Sequence, residues 1–377
     1  MNHRFNTLDG LRGIAAIAVI FFHFTQHTTL RLFSGAGLAV DLFFCLSGFV
    51  IAHSYQQRLI GGMSFKEFFL KRLVRLYPMF MIALMLGALA LFMKTTSSQT
   101  SLTLHQTLNS VALNAFYIPY LNDYYVQIGK DRIDSALFPG NDPAWSLFFE
   151  LLVNIVFAFV VIRTGRRKNP LPWILLGGVT LIAYVLLSGF VAPGWSATNI
   201  IGGLPRTVYG FFVGVYIYFL FDRVSAHCPR VPPIYLMLAS FFIFLLPTRF
   251  SEPMWLYAAL IFVPVVVTLG TVSDPKPGMT NRFFDYLGWL SYPIYCIHFP
   301  IYSIFTSLTH DADIRLWGAG LCAAVTIVLA HLSAKFIDEP VREMLSRRLF
   351  RPGMTPALGT AATGQATAAN QLPPNQS

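Results

Sequence analysis

The chain has 377 residues, of which 55% are hydrophobic, 15% aromatic and only 12% charged. Soluble domains carry about 25% charged residues, so a water-soluble globular fold is excluded and an integral membrane protein is implied. The net charge of +10 invites a nucleic-acid reading, which the placement of the charges removes.

Long apolar runs, rather than ten-residue alternating segments, predict an all-α helix bundle and not a barrel. Ten spans are expected, at 8–27, 37–56, 76–93, 144–163, 172–191, 205–221, 234–247, 254–272, 287–307 and 316–337, the seventh being short. The amphipathic stretch 104–120 is expected to lie at the interface. With the N-terminus in the cytoplasm, the inner side holds Arg58, Lys66, Lys71, Arg72 and Arg75, then Arg163, Arg166, Arg167 and Lys168. Arg223, Arg230, Lys276 and Arg282 follow, and Lys335, Arg342, Arg347, Arg348 and Arg351 close the series. The outer side keeps few cations, such as Arg31, Lys94, Lys130, Arg132 and Arg249. This bias obeys the positive-inside rule with both termini inside. The charge therefore reports topology, and no nucleic-acid partner is implied.

One membrane domain is expected over 1–345, followed by a cytoplasmic tail, 346–377. Residues 352–377 have no charged residue and no apolar periodicity, the composition of a disordered segment. The first apolar run keeps its polar pattern and reads as a retained helix rather than a cleaved signal. Cys45, Cys296 and Cys322 fall in spans and Cys228 in an inner loop, so neither a disulfide framework nor a metal site is suggested. No internal repeat supports an inverted-repeat transporter.

Span one, LDGLRGIAAIAVIFFHFTQ, carries Arg12 and His23 eleven residues apart. Eleven steps of about 100° return to within roughly 20°, so both occupy one face, about 16 Å apart along the axis. An ionisable group inside a span is expensive and marks a functional interior by default. In span two, GLAVDLFFCLSGFVIAHSYQ, Asp41 falls in the outer third, at the depth of His23. A carboxylate beside an imidazole fixes its tautomer and suits a general base; a helix cap is the alternative role for Asp41. In PAWSLFFELLVN, Glu150 lies about two turns below the outer surface. It should line the same cavity and place or deprotonate a hydroxyl, or else pair with an arginine such as Arg206. Asp142-Pro143 reads as the N-cap and first residue of this span.

At the inner entrance, KRLVRLYP sets Arg72 and Arg75 on one helix face beside Lys71. Paired guanidiniums suit phosphates, although such a cluster also serves orientation and anionic lipid. Asp9, at i, i+3 to Arg12, sits near the same entrance or caps its helix with Asn6. The ninth span contains LSYPIYCIHFP, in which Pro293 and Pro300 should free carbonyls beside His298, a structural or supporting residue. His331 and Glu339-Pro340 read as structural. The outer loop, about 94–143, mixes Asp123, Asp131, Asp134 and Asp142 with Tyr117, Tyr120, Tyr124 and Tyr125, which suits sugar rings or an interfacial aromatic belt. The two ends of this constellation fit a long donor with a phosphorylated head and a reactive tip.

Five segments, LDGLRGIAAIAVIFFHF, GLAVDLFFCLSGFVIAHSY, FFLKRLVRLYP, WSLFFELLVN and YLGWLSYPIYCIHFP, in this order closely resemble the membrane-bound acyltransferase family 3 proteins. That family includes O-antigen, exopolysaccharide and Nod-factor O-acetyltransferases. The likeness extends over about 8–342, including the closing IDEPVRE. It implies an acyl-CoA co-substrate, commonly acetyl-CoA, with no bound cofactor, and a carbohydrate hydroxyl as acceptor at the cell inner membrane. The family's Arg/Lys-x10-His motif falls on Arg12 and His23, with His23 as the expected base. Its R-x-x-R pair falls on Arg72 and Arg75, expected to hold the donor together with Arg12 and Lys71. The glutamate of its W-S-x-x-x-E pattern falls on Glu150, which puts Trp145 and Ser146 beside the site with Asp9 and His298. Many members add an extracytoplasmic domain after the last span, and this chain is expected to act without one. The resemblance thus implies a membrane O-acyltransferase with catalytic His23, Asp41 and Glu150. The rival readings are a proton-coupled transporter or flippase using the same ionisable groups and a non-catalytic scaffold.

Overall fold

The computed structural model describes residues 5–26, 30–129, 131–166, 168–246, 252–275, 278–309 and 316–350. Lys130, Arg167, Arg249, Lys276, Arg351 and the tail 352–377, all used in the charge and composition arguments, lie outside the described residues.

The chain is a polytopic helical membrane protein. In order, its helices are α1 (Asn6–Thr25), α2 (Leu38–Ile60), α3 (Phe65–Thr96), α4 (Leu104–Ala115), α5 (Trp145–Thr164), α6 (Leu171–Ser188) and α7 (Ile200–Phe219). They continue with α8 (Phe221–His227), α9 (Pro233–Leu245), α10 (Glu252–Tyr257), α11 (Val263–Val272), α12 (Met279–Leu308), α13 (Leu316–Ser333) and α14 (Glu339–Leu349). π-helical turns join α10 to α11 and α13 to α14. Eight helical runs are long and apolar enough to cross a membrane. The two other expected spans fall on α9, a 13-residue apolar helix, and on α12, whose 30 residues carry more polar groups.

Local signals set several boundaries. Ser64 caps α3 by accepting the Glu67 amide at 3.2 Å, and Thr103 and Gln106 form a capping box on α4. α5 closes on Gly165 in the left-handed region, φ 60°. The cap expected from Asn6 and Asp9 does not form: the Asn6 amide instead donates to the Asp285 carboxylate on α12. Asp142 and Pro143 open a 3-10 turn ahead of α5 rather than capping it directly.

Two close helix crossings place the functional residues. α2 and α7 meet backbone to backbone: a Cβ on Gly48 would fall 1.9 Å from the Phe211 carbonyl oxygen, and one on Gly214 would fall 2.0 Å from that of Cys45. Small residues permit such an approach, which is how helices associate where no hydrophobic force separates lipid from protein. α1 and α12 run side by side, with Gly13 on Leu287 and Gly288 on Asp9. Ten residues further along each helix come His23 and His298, whose ring centroids are 5.2 Å apart. Pro300 cannot donate to the Cys296 carbonyl, and the Asn141 side-chain amide takes that acceptor at 3.1 Å.

The outer cap consists of α4 and a hairpin of β1 (Tyr125–Ile128) and β2 (Asp131–Asp134). Three of its tyrosines, Tyr117, Tyr120 and Tyr124, are buried, whereas Tyr125 is half-buried under the Arg132 guanidinium. Tyr117 stacks on Phe80 at 4.0 Å between centroids. Tyr120 is buried, and the Tyr124 hydroxyl donates to the Ala136 carbonyl, burial raising its pKa.

Candidate functional site

Three cavities follow one another through the bundle. The inner one, about 780 Å³, is lined by Arg58, Lys71, Arg75, Arg342, Arg347 and Phe350 among others. The central one, about 140 Å³, is lined by Arg12, Ser47, Arg72, Arg75, Ser146 and Glu150. The outer one, about 410 Å³, is lined by His23, Asp142, Trp145, Trp195, Arg206 and Trp255, with Asp131 and Arg132 from the hairpin. Arg75 borders both the inner and central cavities, and Val40 and Tyr295 border both the central and outer ones.

The central cavity gathers three guanidiniums around one carboxylate. Glu150 Oε1 accepts from Ser47 Oγ at 2.7 Å and from Arg72 Nη2 at 3.2 Å. Glu150 therefore pairs with an arginine, as one of its two readings had it, but with Arg72 and not Arg206, and it borders the central cavity rather than the one that holds His23. Arg12 lies 3.9 Å from Asp9. Arg72 keeps a buried Nε–H without a partner among the described residues, a donor free for an anion. The R-x-x-R pair is thus split: Arg72 turns inward onto Glu150, and Arg75 stands over the Tyr292 ring at 5.3 Å between the two cavities. Lys71 faces the inner cavity, pairing with Glu67 at 3.4 Å.

Asp41 requires a correction. Both its oxygens are taken by Arg206, Nε to Oδ1 and Nη2 to Oδ2, each at 2.8 Å. Arg206 also donates to the carbonyls of Gly37 and Pro193 and lies 5.3 Å from the Trp145 and Trp255 rings. Asp41 is committed to this buried pair, so the expected His23–Asp41 dyad gives way to Asp41–Arg206. The cause is the glycine crossing of α2 and α7, which brings Arg206 onto Asp41 first. The carboxylates bordering the His23 cavity are Asp142 and Asp131 instead.

His23 packs among the rings of Phe22, His298 and Phe299. His298 is fully buried. Its Nδ1 lies 2.9 Å from the Tyr295 carbonyl and 3.2 Å from that of Ile294. Carbonyls only accept, so Nδ1 carries the proton and Nε2 is a bare lone pair, without a partner among the described residues. Ser146 Oγ bonds the Tyr295 hydroxyl at 2.6 Å, fixing the wall between the central and outer cavities. At the inner face, Glu339 accepts from Trp289 Nε1 at 2.7 Å, and the Tyr286 hydroxyl meets His331 Nδ1 at 3.1 Å.

Sequence reasoning missed Trp195 and Trp255, isolated aromatics near span ends with no motif around them, and the part of α14 in the inner cavity. Arg206, an arginine inside an apolar run, was visible, but its partner was not.

The chain matches the family described as an acyltransferase domain over residues 5–333. It is 27% identical to the peptidoglycan O-acetyltransferase OatA of Listeria monocytogenes, over 89% of this chain and 56% of the relative. It is 36% identical to protein 2 in the picA locus of Rhizobium radiobacter, over 48% of this chain and 94% of that protein. The chain thus spans a little over half the length of the Listeria protein. No solved structure matches it.

Proposed function

The chain belongs to acyltransferase family 3, and from that premise we propose that it is an O-acyltransferase. In this reading it moves an acyl group, in the first instance acetyl, from acyl-CoA at the inner face to a carbohydrate hydroxyl at the outer face of the cytoplasmic membrane. The observation that carries the proposal is the succession of cavities: a basic inner one, a central one ringed by Arg12, Arg72 and Arg75, and an outer one holding His23 among tryptophans and carboxylates. Guanidiniums suit phosphates. Aromatic faces beside carboxylates suit sugar rings, which present C–H faces and hydroxyl donors.

His23 accepts the proton of the acceptor hydroxyl as that oxygen attacks the thioester carbonyl. The new O–C bond forms as the C–S bond breaks, and the proton passes from His23 to the departing thiolate. Trp145, Trp195 and Trp255 hold the sugar, with Asp131 and Asp142 taking its hydroxyl hydrogens. Arg12 and Arg72 line the path of the donor's arm, and Glu150 keeps Arg72 in place. His298 supports the His23 ring from the side away from substrate.

The test follows radiolabelled acetyl-CoA with membranes carrying the intact chain or His23→Ala, tracing label into glycan or lipid-linked material. Label with the intact chain alone supports the proposal. Equal label from His23→Ala refutes the role of His23, and an acceptor labelled on nitrogen refutes O-transfer.

A further inference from the structure

The inner cavity draws on three separated parts of the chain: Arg58 near the end of α2, Lys71 and Arg75 on α3, and Arg342, Arg347 and Phe350 on or just after α14. Among the described residues, no carboxylate lines it. Arg342 pairs with Asp338 at 3.0 Å and Arg347 with Glu343 at 3.3 Å. Among the described residues, no carboxylate lies within ion-pair distance of Arg58 or Arg75. Aromatic faces accompany the charge, with Lys71 Nζ 4.1 Å over the Phe350 ring and Arg58 5.5 Å over Tyr55. The IDEPVRE segment explains how α14 gets there. Asp338 is buried and holds Arg342, while Glu339 is bound by Trp289 of α12. These contacts clamp the start of α14 and present its arginines to the cavity.

Helix geometry supplies a ruler. Arg75 stands over Tyr292, six residues before His298, the ring beside His23. Six residues of α-helix rise about 9 Å. The pantetheine arm of coenzyme A has about twelve bonds between its phosphate ester oxygen and its sulfur, and an extended chain gains about 3.5 Å per three bonds, or about 14 Å. A thioester at His23 therefore sets the diphosphate about 5 Å nearer the inner face than Tyr292. That is about one turn of α3 toward the inner face from Arg75, the level of Lys71, which lines the inner cavity, and of Arg72, whose side chain is instead turned onto Glu150.

We propose that the inner cavity reads the phosphorylated nucleotide end of the donor. Lys71, Arg75 and Arg342 take the diphosphate, and Arg58 and Arg347 take the 3′-phosphate. α14 is then a specificity element that separates a 3′-phosphorylated donor from shorter ones. The inference rests on the acyl-CoA reading above and deepens it. Phosphate chemistry is shared with anionic lipid headgroups, and the test separates the two.

The experiment measures equilibrium binding of labelled coenzyme A, dephospho-coenzyme A and pantetheine to the full chain in phosphatidylcholine nanodiscs. The intact chain should bind coenzyme A about ten- to a hundredfold more tightly than the dephospho form, the range expected for charge-assisted contacts. Arg58→Ala/Arg347→Ala should abolish that difference while leaving dephospho-coenzyme A affinity in place, which a merely unfolded variant would not do. Arg342→Ala should weaken both nucleotides but not pantetheine. Equal affinity of the intact chain for the two nucleotides would overturn the proposal while leaving the acyl-CoA reading standing. Discs containing phosphatidylglycerol form the second arm. If the arginine variants change only the response to that lipid and keep the nucleotide preference, the cavity is a lipid site and the proposal fails. No binding of any of the three ligands by the intact chain would refute the acyl-CoA reading itself.

Discussion

Asp41→Ala removes the acceptor of two hydrogen bonds from Arg206, both 2.8 Å long, and leaves a guanidinium that is 1% exposed. Charge-assisted bonds contribute about 1.5–3 kcal/mol each, and breaking a buried pair from one side costs about 3–5 kcal/mol. Arg206 would still hold the Gly37 and Pro193 carbonyls and its two tryptophan faces. The loss for Asp41→Ala should therefore fall near the lower limit, about 3 kcal/mol. Arg206→Met strands the carboxylate and both carbonyls and should approach about 5 kcal/mol. In the double variant Asp41→Ala/Arg206→Met no charge is left uncompensated, so its loss should be smaller than the two single losses combined by about 2–3 kcal/mol. The assay is thermal or denaturant unfolding in one fixed detergent, read by exposure of the buried thiols Cys45, Cys296 and Cys322. Turnover per folded molecule should change little in Asp41→Ala. A fully stable Asp41→Ala protein without turnover, beside a silent Arg206→Met, would refute the reasoning and return Asp41 to His23.

Gly48→Ala would set a methyl 1.9 Å from the Phe211 carbonyl oxygen. It should cost more than the usual overpacking range of about 1–3 kcal/mol, because backbone must move; unfolding in detergent measures it, and an unchanged midpoint contradicts the crossing. Arg72→Ala and Glu150→Ala should be strongly non-additive in kcat/KM, coupled by about 1–3 kcal/mol through their 3.2 Å contact. A double-mutant cycle with zero coupling would separate them. His298→Leu removes a buried acceptor without a partner among the described residues. It should hold or raise stability by about 1 kcal/mol while lowering kcat; a destabilised protein of unchanged kcat would make His298 purely structural. Trp195→Ala should raise KM for the sugar acceptor and leave donor affinity unchanged, and a shift in donor affinity alone would misplace the acceptor.

The spans and the ionisable groups within them were legible because both signals are local: apolar run length, and a charge where none belongs. The Arg12–His23 spacing also held, with Arg12 on the central cavity and His23 on the outer one. What stayed illegible was partnership. Asp41 and Arg206 are separated by 165 positions, and their meeting depends on Gly48, Gly210 and Gly214 allowing α2 and α7 to touch. No hydrophobic period reports such a contact. Likewise Glu150 could be read as buried and in need of a partner, but not as bound to Arg72 rather than to Arg206. The tyrosines of the outer loop were legible as a cluster with two open roles, and composition could not tell that Tyr117, Tyr120 and Tyr124 are packed while Tyr125 is half-exposed. The place of α14 in the inner cavity was hidden for the same reason as the partner of Asp41: its arginines join Arg58 and Arg75 only after the bundle closes.

Sidedness tests the central claim most directly, since the account brings donor and acceptor to His23 from opposite faces. Purified chain would be reconstituted into vesicles of known orientation loaded with the host's glycan, and acetyl-CoA would be added only outside. Vesicles exposing the Arg58–Arg347 face should consume acetyl-CoA, release the free thiol on that same side and label the glycan within, all lost in His23→Ala. Consumption from the opposite face, or label confined to the compartment that received the donor, would contradict the account.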